Sequence, residues 1–141
     1  MSTKLVQSVK ENSLSRYWKN SWRAFSFDST GQSCGSRFFS AARSAGVDEI
    51  GFTEHIYYFK QTRSLWTVPY MTERCVYDIE PYVEAVVTAR GRGLPVKLGL
   101  EVDYVPERES ETRELLAHYP WDYLLGSVHY IGELSVDGEE S

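Results

Sequence analysis

The sequence predicts an α/β fold in which parallel strands are joined by crossover helices. Three short apolar segments have the length and composition of buried strands: residues 49–53 (EIGFT), 96–102 (VKLGLEV) and 122–128 (DYLLGSV). Segments with helical spacing alternate with them, and this alternation favours parallel pairing in a barrel or an open α/β sheet. A content of 42% hydrophobic and 25% charged residues is typical of a globular domain.

The first two helical segments are predicted from apolar spacing and from the residues at their ends. Residues 36–45 (SRFFSAARSA) carry apolar side chains at helical spacing and are followed by Gly46, a helix stop. A long helix is expected over residues 72–90. Pro81 lies inside it and should kink it or split it in two, because proline removes a backbone hydrogen bond.

A third helix is expected over residues 107–119 (ERESETRELLAHY), with Pro106 in its first turn and Pro120 just beyond its end. Between the first strand and the long helix, residues 56–70 form a polar and aromatic loop. The order of segments is therefore helix, strand, loop, helix, strand, helix and strand.

Length, charge and cysteine usage restrict the class of protein. A chain of 141 residues suits one domain, and its net charge of −5 gives no overall attraction to nucleic acid or anionic membranes. No apolar run approaches the ~18 residues needed to span a bilayer, and the first residues lack a secretory signal. Cys34 and Cys75 match no metal or disulfide motif, so reduced thiols in the cytoplasm are expected.

The first part of the chain differs in charge from the rest. Residues 1–24 contain five basic residues and a single acid, Glu11, whereas residues 25–141 are clearly acidic. We therefore predict a basic leader over 1–24 and one domain over 25–141. The leader has three interpretations: an organelle transit peptide, a solvated helix, or a segment not native to the domain that follows.

Ionisable residues follow each predicted strand at corresponding positions. His55, Glu101 and His129 lie at or within two residues of the strand ends, where parallel α/β folds bind ligands. Each alone is explained by an ordinary loop or hydrogen-bonding role, but the shared position favours a metal site. Imidazole and carboxylate groups suit Zn²⁺, Mn²⁺ or Fe²⁺. Glycines a few positions earlier would let another group approach the backbone closely: Gly51, Gly99 and Gly126.

Other ionisable residues near these strands are expected to play supporting or structural roles. Asp103 projects in the same direction as Glu101 and is a candidate acceptor for a ligand histidine. Glu54 is interpreted as a supporting acid or a helix-start acid, and His118 as a structural cation at a helix end. Lys60 and Arg63 are best explained as solvated charges.

The aromatic loop leaves two interpretations open. Tyr57, Tyr58, Phe59 and Trp66 crowd one short stretch, and they either wall a substrate pocket or pack a lid-like loop onto the core.

Three motifs carry a resemblance to a known family. GFTEH (51–55), GLEVDYVPE (99–107) and LLGSVHYIG (124–132) resemble, in this order, the polymerase and histidinol phosphatase (PHP) superfamily, and most closely its histidinol-phosphatase branch. The resemblance covers roughly residues 25–141. It implies a distorted (β/α)7 TIM-like barrel that holds up to three metal ions and hydrolyses phosphoesters. The named branch removes phosphate from histidinol phosphate in histidine biosynthesis.

The resemblance also implies roles for particular residues. His55 and His129 match metal-binding histidines of the family, and Glu101 matches a carboxylate that bridges two metals, so these three are the expected catalytic residues. In SFDSTG (26–31), Asp28 falls at a position that often supplies a further metal ligand. The alternative for Asp28 is a turn residue, since Asp-Ser-Thr-Gly is favourable turn chemistry.

The sequence also departs from the family pattern. The family begins with His-x-His on its first strand, and here those positions hold Asn20 and Trp22. A closed barrel needs ~250 residues. We therefore expect a partial PHP barrel, roughly its N-terminal half, with unpaired edge strands that favour self-association.

Two functions of different classes follow from these observations. The first is a histidinol-phosphatase-like, metal-dependent hydrolase acting on a small phosphorylated substrate, with three alternatives for this chain: weak activity, no activity, or activity that depends on a second half. The alternative is a non-catalytic PHP remnant that binds a metal or a protein partner. Nuclease activity is less favoured, because nothing in the sequence is typical of a surface that tracks a phosphate backbone.

Overall fold

The structure is a computed structural model that describes residues 43–136 of the chain. The predicted leader and Asp28 lie outside the described residues, as does most of the predicted helix 36–45. The elements are β1 (Ile50–His55), two short 3₁₀ helices (Ile56–Tyr58 and Lys60–Leu65), α1 (Pro69–Arg74), α2 (Ile79–Gly91), β2 (Val96–Asp103), α3 (Glu109–Leu116), β3 (Tyr123–Ser127), β4 (Tyr130–Ile131) and β5 (Leu134–Ser135).

Strands β1, β2 and β3 form a parallel sheet in the order β1-β2-β3. Segments containing α2 and α3 connect successive strands, as crossover connections require. The predicted α/β class and parallel pairing are therefore confirmed, and the architecture is that of a partial TIM-like barrel. A separate antiparallel hairpin, β4-β5, follows the sheet. Within residues 43–136, no helix combines the length and the apolar character needed to cross a bilayer.

The predicted long helix is split, but not at Pro81. Helix α1 already begins at Pro69, and residues 75–78 separate it from α2. The separating segment is extended because its backbone pairs with the aromatic loop. The backbone N–H of Tyr77 donates to the backbone carbonyl oxygen of Tyr58, at 3.0 Å. Pro81 lies in the first turn of α2, where a missing N–H removes no intrahelical hydrogen bond.

Helix α3 is shorter than the sequence predicted. It spans Glu109–Leu116, and Pro106 lies before it rather than in its first turn. The reason is local: Glu107 has a φ of 66°, a left-handed conformation that a right-handed helix cannot contain. Residues 106–108 therefore form a turn between β2 and the helix.

One face of the sheet carries the core against α2. Tyr82 of α2 is fully buried. Its Oη hydrogen-bonds to two backbone carbonyl oxygens, that of Phe52 in β1 at 3.0 Å and that of Gly99 in β2 at 2.7 Å. Apolar residues surround this contact, including Ile79, Val86, Leu98 and Leu100. The tyrosine therefore ties the helix to both strands and satisfies its own buried hydroxyl.

On the opposite face of the sheet, the ring of Tyr123 covers two glycines. The Tyr123 side chain lies over Gly51 and Gly99, and a Cβ added at either glycine would overlap it. Thr53 Oγ1 lies 2.5 Å from Tyr123 Oη. The close approach predicted at these glycines is therefore made by the protein's own tyrosine. At Gly126 no other heavy atom of the described residues lies within 4 Å of an added Cβ.

We expect Gly99→Ala to destabilise the fold, because the new methyl group must displace the Tyr123 ring from a packed position. Overpacking of this kind typically costs about 1–3 kcal/mol of unfolding free energy. Chemical denaturation with unchanged m-value would measure the loss.

Gly126→Ala is the matched control, since an alanine there meets open space and should change the unfolding free energy by less than about 1 kcal/mol. In a double-mutant cycle, Tyr123→Leu should recover part of the Gly99→Ala loss. Equal losses at Gly99 and Gly126 would contradict the packing argument.

Candidate metal centre

The sheet register brings two histidines and a glutamate together at the carboxyl end of the strands. His55 ends β1 and pairs with Glu101 of β2, while His129 follows β3 by two residues. One nitrogen or oxygen atom from each of the three residues can be chosen so that all lie within 4.8 Å of one another. The three strand-end residues singled out in the sequence therefore do meet in one cluster.

Each histidine lies about as far from one Glu101 oxygen as two ligands of the same ion lie from each other. His55 Nδ1 lies 3.6 Å from Glu101 Oε2, and His129 Nε2 lies 3.5 Å from Glu101 Oε1. Both separations exceed a normal hydrogen bond. Two ligand atoms bound tetrahedrally at about 2.1 Å from a metal would be roughly 3.4 Å apart. The residues present therefore fit a divalent cation.

Buried negative charge gives a second reason for a cation here. Glu101 and Asp103 are both buried, on the same face of β2. Within the described part of the chain, neither forms an ion pair with lysine or arginine, and their charged contacts are to the two histidines. Buried carboxylates are stabilised only by a compensating charge or by hydrogen bonds, and a bound cation supplies the charge.

Asp103 orients His129, as the sequence suggested. Its Oδ1 contacts His129 Nδ1, so a proton on Nδ1 donates to the carboxylate. This contact favours the tautomer whose Nε2 lone pair faces Glu101. Carboxylates that hold a ligand histidine in this way fix the ring and increase its basicity.

Tyr57 forms the wall beside the two imidazoles. Its ring stacks on His55 at 4.8 Å between centroids, and it meets His129 edge-on at 5.9 Å. Tyr58 contacts His55 edge-on at 5.4 Å. Burial raises the pKa of the Tyr57 hydroxyl well above its usual value, and the neighbouring Tyr58 raises it further. Tyr57 therefore stays neutral at physiological pH.

The packing interpretation of the aromatic loop is confirmed for Tyr57, Phe59 and Trp66, which are buried in the core. Tyr57 and Tyr58 also contact His55, and a role for them in the wall of a substrate pocket stays a prediction. Thr62 organises the loop: its Oγ1 accepts a hydrogen bond from Trp66 Nε1 at 3.1 Å and donates to backbone carbonyls of the loop. Cys75 Sγ also donates a hydrogen bond to the backbone carbonyl oxygen of Tyr57, at 3.2 Å.

Lys60 and Arg63 are exposed, as expected of solvated charges. Lys60 Nζ forms an ion pair with Asp78 at 2.9 Å, and Arg63 donates to the backbone carbonyl oxygen of Thr72 at 2.8 Å. His118 lies just after α3, and its Nδ1 is 2.8 Å from the backbone carbonyl oxygen of Glu114, inside that helix. Asp28 stays a prediction, because it lies outside the described residues.

Sequence reasoning missed three residues next to the centre. The Arg74 guanidinium lies 3.9 Å from the centroid of the Tyr70 ring. Tyr70 in turn lies 6.3 Å from the Tyr57 ring and 6.1 Å from the Tyr130 ring. Tyr70 and Arg74 are four residues apart in α1, a spacing that brings side chains together on one helix face. That spacing is the sequence feature from which the contact between Tyr70 and Arg74 could have been predicted.

Comparison with known proteins agrees with this geometry. The chain is 33% identical over 100 residues to a protein from Deinococcus radiodurans named as a probable histidinol-phosphatase. The alignment covers 71% of the chain but 37% of that relative's length. Residues 8–140 match the PHP domain. Because this match includes nearly all of the sequence, the chain belongs to the PHP domain family.

Proposed function

We propose that this chain is a histidinol-phosphatase-like member of the family: a metal-dependent enzyme that hydrolyses a phosphate monoester such as L-histidinol phosphate. The observation that carries the proposal is the cluster of His55, Glu101 and His129, with ligand-like spacing and Asp103 behind it. The similarity to the probable histidinol-phosphatase supports the substrate class and a place in histidine biosynthesis.

Several features belong to the same proposal. His55, Glu101 and His129 would be the protein ligands of Zn²⁺, Mn²⁺ or Fe²⁺, with Asp28 as a further ligand. The domain would span residues 25–141 and act in the cytoplasm. Among residues 43–136, β1 and β3 each pair on one side only, and such edges would favour self-association.

The described residues have distinct tasks in such a reaction. A divalent cation supplies Lewis-acid activation of water and neutralises phosphoryl charge. Glu101 presents one carboxylate oxygen toward each imidazole and would hold the cation together with His55 and His129. Asp103 keeps the His129 proton on Nδ1, and Tyr57 covers the His55 ring and excludes water from that side. The site is thus oriented before substrate binds.

A non-catalytic role is the second candidate. Asn20 and Trp22 occupy the positions of the family's first two histidines, so two expected ligands are absent from the sequence. A protein of this kind would bind a metal or a protein partner without turnover.

Metal affinity tests the ligand assignment. We expect the unmodified chain to bind Mn²⁺ or Zn²⁺ in calorimetric titrations, and Glu101→Gln or His129→Ala to weaken binding by at least ~100-fold. Asp103→Asn should weaken it by roughly 10- to 100-fold, because it orients a ligand without being one. His118→Ala, a histidine outside the cluster, is the control. Equal affinity in all four variants would exclude this centre.

Turnover separates the two candidate functions. With added Mn²⁺ or Zn²⁺, the unmodified chain should hydrolyse L-histidinol phosphate faster than other phosphate monoesters, and His129→Ala should reduce the rate by ~100-fold or more. Phosphate release measures both. A chain that binds metal but releases no phosphate from any monoester would favour the non-catalytic function.

A further inference from the structure

Arg74 lies on the same side of the sheet as the metal cluster. Helix α1 follows the carboxyl end of β1, and Arg74 is its last residue. Aromatic contacts connect it to the cluster. Its guanidinium stacks on Tyr70, which approaches Tyr57, and Tyr57 stacks on His55.

Among residues 43–136, the charge of Arg74 has no carboxylate partner. No ion pair or hydrogen bond from its guanidinium is formed within this part of the chain, and its Nε is buried without a hydrogen-bond acceptor there. Arg90 and Arg108, by contrast, pair with Asp122 and Glu111 at 2.7 and 2.6 Å. A buried N–H donor without an acceptor is costly and is a candidate for binding a ligand.

Stacking prepares a guanidinium for binding an anion. One face of Arg74 is covered by the Tyr70 ring, while the N–H donors around its edge remain in the guanidinium plane. Those donors match two oxygens of a phosphoryl group in a bidentate contact that lysine cannot reproduce. Holding the side chain on a ring also reduces the entropy lost when the anion binds.

We propose that Arg74, held against Tyr70, binds the phosphoryl group of the substrate beside the metal centre. This proposal deepens the proposed function and rests on it for the identity of the substrate. The two cationic groups would then hold the phosphoryl group from different sides: the metal cluster at the strand ends, and Arg74 from α1.

Binding of inorganic phosphate tests whether Arg74 binds a phosphoryl group. The full 141-residue chain, with and without saturating Mn²⁺, is titrated with phosphate by calorimetry, together with Arg74→Met, Arg74→Lys and Tyr70→Leu. We expect Arg74→Met to weaken phosphate binding by roughly 10- to 100-fold, as the loss of a charged hydrogen-bonding partner implies. Arg74→Lys should give an intermediate loss, and Tyr70→Leu a smaller one, with Mn²⁺ affinity unchanged throughout.

Arg113→Met is the matched control, because it removes an exposed arginine of α3 and changes the net charge equally. Thermal unfolding shows whether each variant is folded. If Arg74→Met does not fold, Arg74→Lys and Tyr70→Leu decide the outcome. Where turnover is measurable, Arg74→Met should raise KM more than it lowers kcat, a division that a purely structural role of Arg74 would not produce.

The outcomes separate this proposal from the function on which it rests. Phosphate affinity that is the same in Arg74→Met as in the unmodified chain overturns the role of Arg74, and so does an unmodified chain that binds no phosphate in either condition. Arg74-dependent phosphate binding in a chain that hydrolyses no monoester supports the anion site and rejects the hydrolase.

Discussion

The parallel register between β1 and β2 is the constraint on which the centre depends. It places His55 opposite Glu101, the last residue pair between the two strands. Strand β3 pairs with β2 and leads to His129 at the same end of the sheet. A slip of one residue in either strand would turn the imidazole or the carboxylate to the opposite face of the sheet. Tyr82 and Tyr123 both act against such a slip. Tyr82 hydrogen-bonds to backbone oxygens of β1 and β2, while Tyr123 of β3 hydrogen-bonds to the Phe52 backbone oxygen of β1 and lies over Gly51 and Gly99.

The core and the centre are connected through the loop after β1. Thr62 hydrogen-bonds to backbone carbonyls on either side of Tyr57, Cys75 hydrogen-bonds to the Tyr57 carbonyl itself, and Trp66 anchors the loop in the apolar core. The ring of Tyr57 is consequently held against His55 by residues outside the cluster. Rigid support of this kind keeps catalytic groups near their productive geometry. The same loop leads into α1 and so determines where Arg74 is presented.

The strands and the principal cluster could be predicted from the sequence, because buried parallel strands leave a clear apolar pattern and their ends have a defined functional side. The helix boundaries could not. The break before α2 depends on pairing between residues 75–78 and the loop near Tyr58, a tertiary contact with no local signature. The turn at Glu107 arises from a positive φ that glutamate rarely adopts. Arg74 was missed because a cation on a short helix resembles any other surface charge until its aromatic partner is known.

The position of Tyr123 has a consequence for the shape of any bound molecule. Its ring lies at the level of Gly51 and Gly99, on the face of the sheet that also carries Glu101. Among the described residues, the ring therefore occupies the space next to these two glycines, and a molecule bound at the cluster cannot occupy it as well. In the proposed function, the organic part of a substrate would then contact the tyrosines after β1, Tyr57 and Tyr58, and those two side chains would contribute to substrate selectivity.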